Sequence, residues 1–342
     1  MNKKRIDAFL VTKAENIFYL SGFTGGTDAQ LFITLEKQYI LTDARYYEQV
    51  ALECPDWQLV EKKGAGWDAL KDLCTGIHGL GFEAHVLTVD RFQHMQKEIP
   101  VQLIPHSHLI ESLRIIKDEE ELNRLRQAAA IGDRVFLQIL SELKIGMSER
   151  HIANRISFLL REYGCSKESF DIIAVSGPNA ALPHGQPSDR TLQSGDMLTL
   201  DMGGIYKGYA GDMTRTVSID QASQRFRDLY MRLLEAQQIG LRSVCAGVCG
   251  QDVDAAVRKH LSQWNLDVYF VHSLGHGVGL EVHEEPRLSP YSELLLQPDM
   301  VVTVEPGIYI PAWGGIRIED TVIVKSDGCE IMTCSDKSLL TI

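Results

Sequence analysis

Residues 197–214 read Met-Leu-Thr-Leu-Asp-Met-Gly-Gly-Ile-Tyr-Lys-Gly-Tyr-Ala-Gly-Asp-Met-Thr. An apolar run ends on one carboxylate, Asp201, and a second, Asp212, follows eleven positions later. A hairpin between them would set the two acids face to face. The arrangement recurs downstream, where Val301-Val302-Thr303-Val304 runs into Glu305 and Glu319 follows fourteen positions on, within Gly315-Ile316-Arg317-Ile318-Glu319-Asp320. Taken singly, each of these is an ordinary turn or capping acid. A carboxylate at the end of an apolar strand is costly to bury unless it is paired or bound to a cation, so four converging acids call for metal.

One histidine, His276, stands in Leu274-Gly275-His276-Gly277-Val278-Gly279, where glycines leave backbone room around the imidazole. That spacing does not fit the G-x-G-x-x-G dinucleotide fingerprint. His283-Glu284 would open the H-E-x-x-H pattern of a zinc metallopeptidase helix, but Arg287 occupies the place of its second histidine.

Outward from these motifs the chain falls into two parts. In residues 1–113, short apolar runs at Ala8 to Val11, Leu31 to Thr34, Tyr39 to Thr42 and Leu80 to Glu83 alternate with amphipathic stretches, which predicts a small α/β domain. No cluster of His, Asp, Glu or Cys at ligand spacing is expected there. From residue 114 the pattern changes. Asp118-Glu119-Glu120-Glu121 suits a helix N-terminus, and Leu122, Leu125, Ala129, Gly132, Phe136, Ile139 and Leu143 recur at three-to-four spacing. Gly146 ends that helix and Ser148-Glu149 opens another, running to about Tyr163. Two more helices are predicted near 221–245 and 250–264, flanked by the acid-bearing strands. The expectation is an α+β domain over 114–342 that carries all the chemistry.

The 342 residues are 44% hydrophobic and 23% charged, which is ordinary globular composition and enough for two domains. With 34 Lys plus Arg against 46 Asp plus Glu, the net charge of −12 argues against a surface that neutralises phosphates or anionic lipid, so neither nucleic acid nor membrane is an expected partner. The opening Met1-Asn2-Lys3-Lys4-Arg5 is basic, but Lys13 and Glu15 interrupt the apolar run that follows before it reaches signal-peptide length. The longest uncharged stretch, Ile172 to Ser188, contains three prolines and cannot cross a membrane. A soluble, cytoplasmic chain is expected. The seven cysteines lack C-x-x-C spacing and are predicted to be reduced core thiols, with Cys245 and Cys249 on one helical face.

Together these motifs resemble the proline-specific metallopeptidases, the family of prolidase (Xaa-Pro dipeptidase) and aminopeptidase P, relatives of methionine aminopeptidase and creatinase. The resemblance spans essentially the whole chain. It implies a creatinase-like α/β N-terminal domain followed by a pita-bread catalytic domain, a curved antiparallel sheet flanked by helices. The family's ligand order of Asp, Asp, His, Glu, Glu maps onto Asp201, Asp212, His276, Glu305 and Glu319. His184, His272 and His283 fall at family positions that bind substrate and shuttle protons. His78, His85, His94, His106, His108, His151 and His260 match none and are read as ordinary residues.

The resemblance implies two divalent ions that activate water and polarise the scissile carbonyl. Manganese is favoured by the oxygen-rich donors, with cobalt and zinc as alternatives. Glu305 would be both ligand and acceptor of the water's proton. His283 would assist the tetrahedral intermediate and protonation of the prolyl nitrogen, with His184 beside it. Arg287 matches the position that meets the C-terminal carboxylate of a dipeptide. Arg317, two residues before Glu319, is expected to share its face and pair with the site acids, and Tyr309 to hydrogen-bond near the metals. Arg287 makes Xaa-Pro dipeptides the preferred substrates. Aminopeptidase P acting on longer peptides is the runner-up, an inactive peptide-binding scaffold the alternative of another class, and a homodimer the implied assembly.

Overall fold

The computed structural model describes residues 6–342; the basic opening Met1 to Arg5 lies outside the described residues. The chain divides into two compact units, Met1–Arg114 and Ile115–Ile342. In the first, a six-stranded sheet runs in the order Gln58–Glu61, Gln38–Thr42, Gln30–Thr34, Ala8–Val11, Gly79–Glu83, Gln102–His106. Successive strand residues bury on opposite faces, as the period of two requires. Leu10, Phe32 and Leu41 enter one apolar cluster and Val11, Leu31 and Ile40 the other. Both faces are therefore covered, which explains runs that are apolar throughout rather than alternating. The expectation that this part holds no ligand cluster is overturned: His85, His108 and Glu111 converge in it. His85 and His108 follow neighbouring strands and Glu111 opens the short helix Glu111–Arg114, so the strand pairing rather than sequence spacing brings them together.

The second unit opens with helix Glu119–Glu142, started by a capping box in which Asp118 accepts from Glu121 N–H and the Glu121 carboxylate accepts from Asp118 N–H. Its stripe of Leu122, Leu125, Ala129, Gly132, Phe136 and Ile139 is buried. Gly146 takes φ +90° in the following turn, and the Ser148 hydroxyl caps helix Glu149–Glu162. These two helices share a core with an antiparallel three-stranded sheet in which Met197–Met202 lies between Ile173–Ser176 and Met213–Ser218. Helices Gln224–Ser243 and Gly250–Ser262 repeat the arrangement on a five-stranded antiparallel sheet centred on Val301–Val304. The result is the α+β, pita-bread architecture expected from the sequence.

Two details differ from the sequence reading. Cys245 and Cys249 do not share a helical face, because the chain leaves the helix after Ser243 and turns at Gly247 with φ +85°. Their sulfurs meet different carbonyls, those of Ser326 and Glu293. All seven thiols are free, but only Cys54, Cys74 and Cys165 are buried. Among the described residues no helix is long and apolar enough to cross a membrane.

Candidate active site

The strand register brings the acids together. Thr214 faces Asp201 and Met213 faces Met202. Beyond that pair the backbones close so tightly that a Cβ on Gly203 would stand 1.8 Å from the Gly211 carbonyl oxygen. Only glycine permits the approach that sets Asp212 beside Asp201. In the other sheet Val304 faces Asp320, so Glu305 and Glu319 flank the last rung. The two halves are stitched across: Glu319 N–H donates to the Thr214 carbonyl at 3.1 Å, the Thr214 hydroxyl to Glu319 Oε2 at 2.6 Å, and the Thr321 hydroxyl to the Asp212 carbonyl at 2.7 Å. His276 lies on Gly275–Gly277, where a Cβ at Gly275 would meet the Thr303 carbonyl at 2.0 Å.

These groups face one another with acceptors only. His276 Nδ1 donates to the Gly277 carbonyl at 3.1 Å, which turns the lone pair of Nε2 inward, 3.4 Å from Glu305 Oε1 and 3.6 Å from Asp212 Oδ2. Despite those carboxylates the imidazole stays neutral, because burial, seconded by neighbouring His283, pulls its pKa down to about 3. Donor atoms of Asp212, His276 and Glu319 lie within 4.8 Å of one another. Asp201 Oδ1 is buried without a hydrogen-bond partner among the described residues. Burial, then repulsion from neighbouring carboxylates, pushes Asp212 and Glu305 well above the usual carboxylate range and Glu319 up to about 8. A pocket of converging lone pairs with an orphaned oxygen and no donor to answer it fits cations, and four carboxylates plus one imidazole suit hard divalent ions.

The acids line a cavity of about 390 Å³ that also takes in His184, His272, His283, Arg287, Tyr309 and Arg317. His184, His283 and Arg287 are exposed in it. The His283 ring lies edge-on to His276 with centroids 4.2 Å apart. Arg317 is instead buried and engaged by the protein: it donates to Asp201 Oδ2 at 2.5 Å, Tyr309 Oη at 2.7 Å, the Pro183 carbonyl at 3.2 Å and Thr214 Oγ1 at 3.1 Å. The Tyr309 hydroxyl donates to His272 Nε2 at 2.9 Å, and His272 Nδ1 donates to the Ser273 carbonyl at 2.8 Å. Burial holds His272 at about 4, a neutral acceptor at the end of this chain.

Two supporting carboxylates escaped the sequence reading. Glu149, wholly buried, accepts from Ser176 and Ser188 through both their N–H groups and hydroxyls and from Asn179, and so clamps both ends of the segment that carries His184. Glu284 Oε1 takes the ammonium of buried Lys117 at 2.7 Å, next to His283 in the chain. Both acids stand where a helix-start or loop acid is routine, so only their distant partners distinguish them.

Residues 123–326 match the model of metallopeptidase family M24, and residues 1–116 that of the creatinase/prolidase N-terminal domain. The chain belongs to the M24 metallopeptidases. A solved Xaa-Pro dipeptidase from Bacillus anthracis is 40% identical, with a TM-score of 0.96 over 98% of this chain and 95% of that one. An X-Pro aminopeptidase from Thermotoga maritima is 35% identical, with a TM-score of 0.93 over 98% of each. The Xaa-Pro dipeptidase of Pyrococcus horikoshii is 34% identical over 99% of this chain and 96% of its own. As an M24 metallopeptidase the chain is an enzyme that uses divalent metal.

Proposed function

We propose that this M24 metallopeptidase hydrolyses the bond preceding proline in Xaa-Pro dipeptides, with Asp201, Asp212, His276, Glu305 and Glu319 holding two divalent ions, manganese first among them. The observation that carries this reading is the acceptor-only cluster of four carboxylates and one imidazole, set in a cavity where Arg287 is the exposed cation. When bound, such ions supply Lewis acidity to the carbonyl and lower the pKa of water. Glu305 has the most exposed side chain of the five, at 16%, which suits it to take the proton of the attacking water. The nitrogen of the scissile bond is proline's own and carries no hydrogen, so it must be protonated to leave as a secondary amine. Glu305 can hand on the proton it has taken.

Burial, then the charge of Arg287, lowers the His283 pKa, so the ring acts as a neutral N–H donor to the carbonyl oxygen as charge develops there. Arg287 offers a guanidinium fork to the free carboxylate of a dipeptide, and His184 lines the same cavity. Arg317, with most of its donors taken, acts through Asp201 and Tyr309 rather than on substrate. The setting we propose is a cytoplasmic homodimer acting on proline-containing di- or short peptides.

The T. maritima relative, named an X-Pro aminopeptidase, supports a second reading in which longer peptides are cut. Assay of the manganese-loaded enzyme with Xaa-Pro dipeptides and Xaa-Pro-Yaa tripeptides separates the two. Dipeptide turnover is expected; tripeptide cleavage without it would replace the dipeptidase by the aminopeptidase.

A further inference from the structure

The N-terminal unit holds a convergence of donors that the peptidase chemistry does not use. His85 and His108 follow the carboxyl ends of neighbouring parallel strands, Gly79–Glu83 and Gln102–His106, the edge at which parallel sheets gather ligands. Glu111 begins the short helix Glu111–Arg114 just beyond. His85 Nε2 lies 2.9 Å from Glu111 Oε1, the two imidazoles lie 4.1 Å apart between centroids, and one donor atom from each of the three residues falls within 4.8 Å of the others. His108 is held at φ +57°, a conformation that a side-chain-bearing residue rarely adopts.

The carboxylate is half answered. Lys13 Nζ at 3.2 Å and Asn16 Nδ2 at 2.9 Å join His85 on Oε1, while Oε2 is buried without a hydrogen-bond partner among the described residues. One oxygen of the group is thus left unclaimed.

We propose that His85, His108 and Glu111 form a second metal site, for a divalent ion of the zinc class, separate from the peptidase centre. Two imidazoles, a carboxylate and a water complete the four-coordinate shell that zinc prefers. Ligand bonds of about 2.0–2.2 Å place donor atoms roughly 3.3–3.6 Å apart across a tetrahedral ion, so the His85–Glu111 pair has only to open slightly. Coordination through His85 Nε2 moves the ring proton to Nδ1 and gives up the long 3.4 Å contact from His108 N–H. The ion would tie two strand ends to the helix after them. The nitrogen-rich set also distinguishes this site from the carboxylate-rich peptidase centre, since imidazole suits zinc and carboxylate suits manganese.

The test is zinc stoichiometry of the full-length protein after equilibration with zinc and gel filtration. The variants are His85→Gln/His108→Asn, asparagine being chosen because it tolerates positive φ, and Glu111→Gln alone. Wild type should retain one zinc per chain more than the double variant. Glu111→Gln should bind that ion at least tenfold more weakly, with dipeptide turnover under manganese unchanged in both. An Asp212→Asn/Glu319→Gln protein should keep the N-terminal zinc while losing that of the peptidase centre. Equal zinc content in wild type and both N-terminal variants would overturn the site.

Discussion

Asp201 gives one oxygen to Arg317 and leaves the other buried and unpartnered, while its neighbours Asp212, Glu305 and Glu319 hold their protons far too tightly for ordinary carboxylates. Groups in that condition destabilise the fold they sit in until cations arrive. Asp212→Asn should therefore lower kcat/KM for an Xaa-Pro dipeptide about 10³-fold or more, while leaving the melting temperature of the chelated protein unchanged or raised. An Asp212→Asn protein with wild-type turnover would remove it from the ligand set. Arg287→Ala deletes an exposed guanidinium, and a charge-assisted hydrogen bond of about 1.5–3 kcal/mol corresponds to a rise in KM of roughly 10–100-fold for dipeptides. Tripeptides should be affected far less; equal effects on both would end the argument for a dipeptidase. At this scale the sequence was most informative, because Asp201 and Glu305 close apolar runs and each has a partner acid further along. It was least informative for Arg317, whose nearness to Glu319 is visible but whose commitment to Asp201, Tyr309, Thr214 and Pro183 depends on strands far apart in the chain.

The helices and the acid-bearing strands could be read from periodicity and capping signals, and they fall close to their expected places. What periodicity does not encode is the bracing of irregular segments. The loop that carries His184 has no regular structure beyond the 3-10 helix Gly177–Ala181, and it is held by a helix-start glutamate that, from sequence, looks like a response to the helix dipole. Glu149 Oε1 accepts from Ser176 and Oε2 from Ser188, so a glutamine there turns an amide donor toward donors whichever way it faces. Glu149→Gln should cost about 2–4 kcal/mol of stability. It should also raise the KM for dipeptides more than it lowers kcat, because His184 is displaced while the metal ligands are not. A variant that loses stability yet keeps the wild-type KM would show that this loop needs no fixed position.

For the molecule as a whole, the sheet centred on Met197–Met202 and the sheet centred on Val301–Val304 each bear one acid pair and are each covered by one pair of helices, a duplication visible in the sequence only as two similar strand-end motifs. The His85, His108 and Glu111 cluster was invisible there because it depends on which strands are neighbours, a property of topology rather than of spacing. The duplication concentrates uncompensated carboxylates at one point, and stability should register it through pH. In the metal-free protein the Glu319 pKa stands at about 8 against 4.5 for the free side chain, with Asp212 and Glu305 shifted the same way. Below both values the group is protonated in folded and unfolded chains alike. Between them the folded state keeps a proton that the unfolded state has released, so stability falls as pH rises, by about 1.4 kcal/mol per pH unit for each such proton, and the loss is complete above the folded value. At about 2–4 °C per kcal/mol for a unit of this size, the chelated protein should lose roughly 3–6 °C in melting temperature per pH unit for each such proton between about pH 5 and pH 8. With divalent ions bound the acids are ionised throughout, so the slope should vanish and the gap between loaded and chelated protein should widen with pH. Thermal melts across that range, with and without chelator, measure both curves, and a chelated protein whose melting temperature holds level would mean that the acids are not crowded together in the metal-free fold.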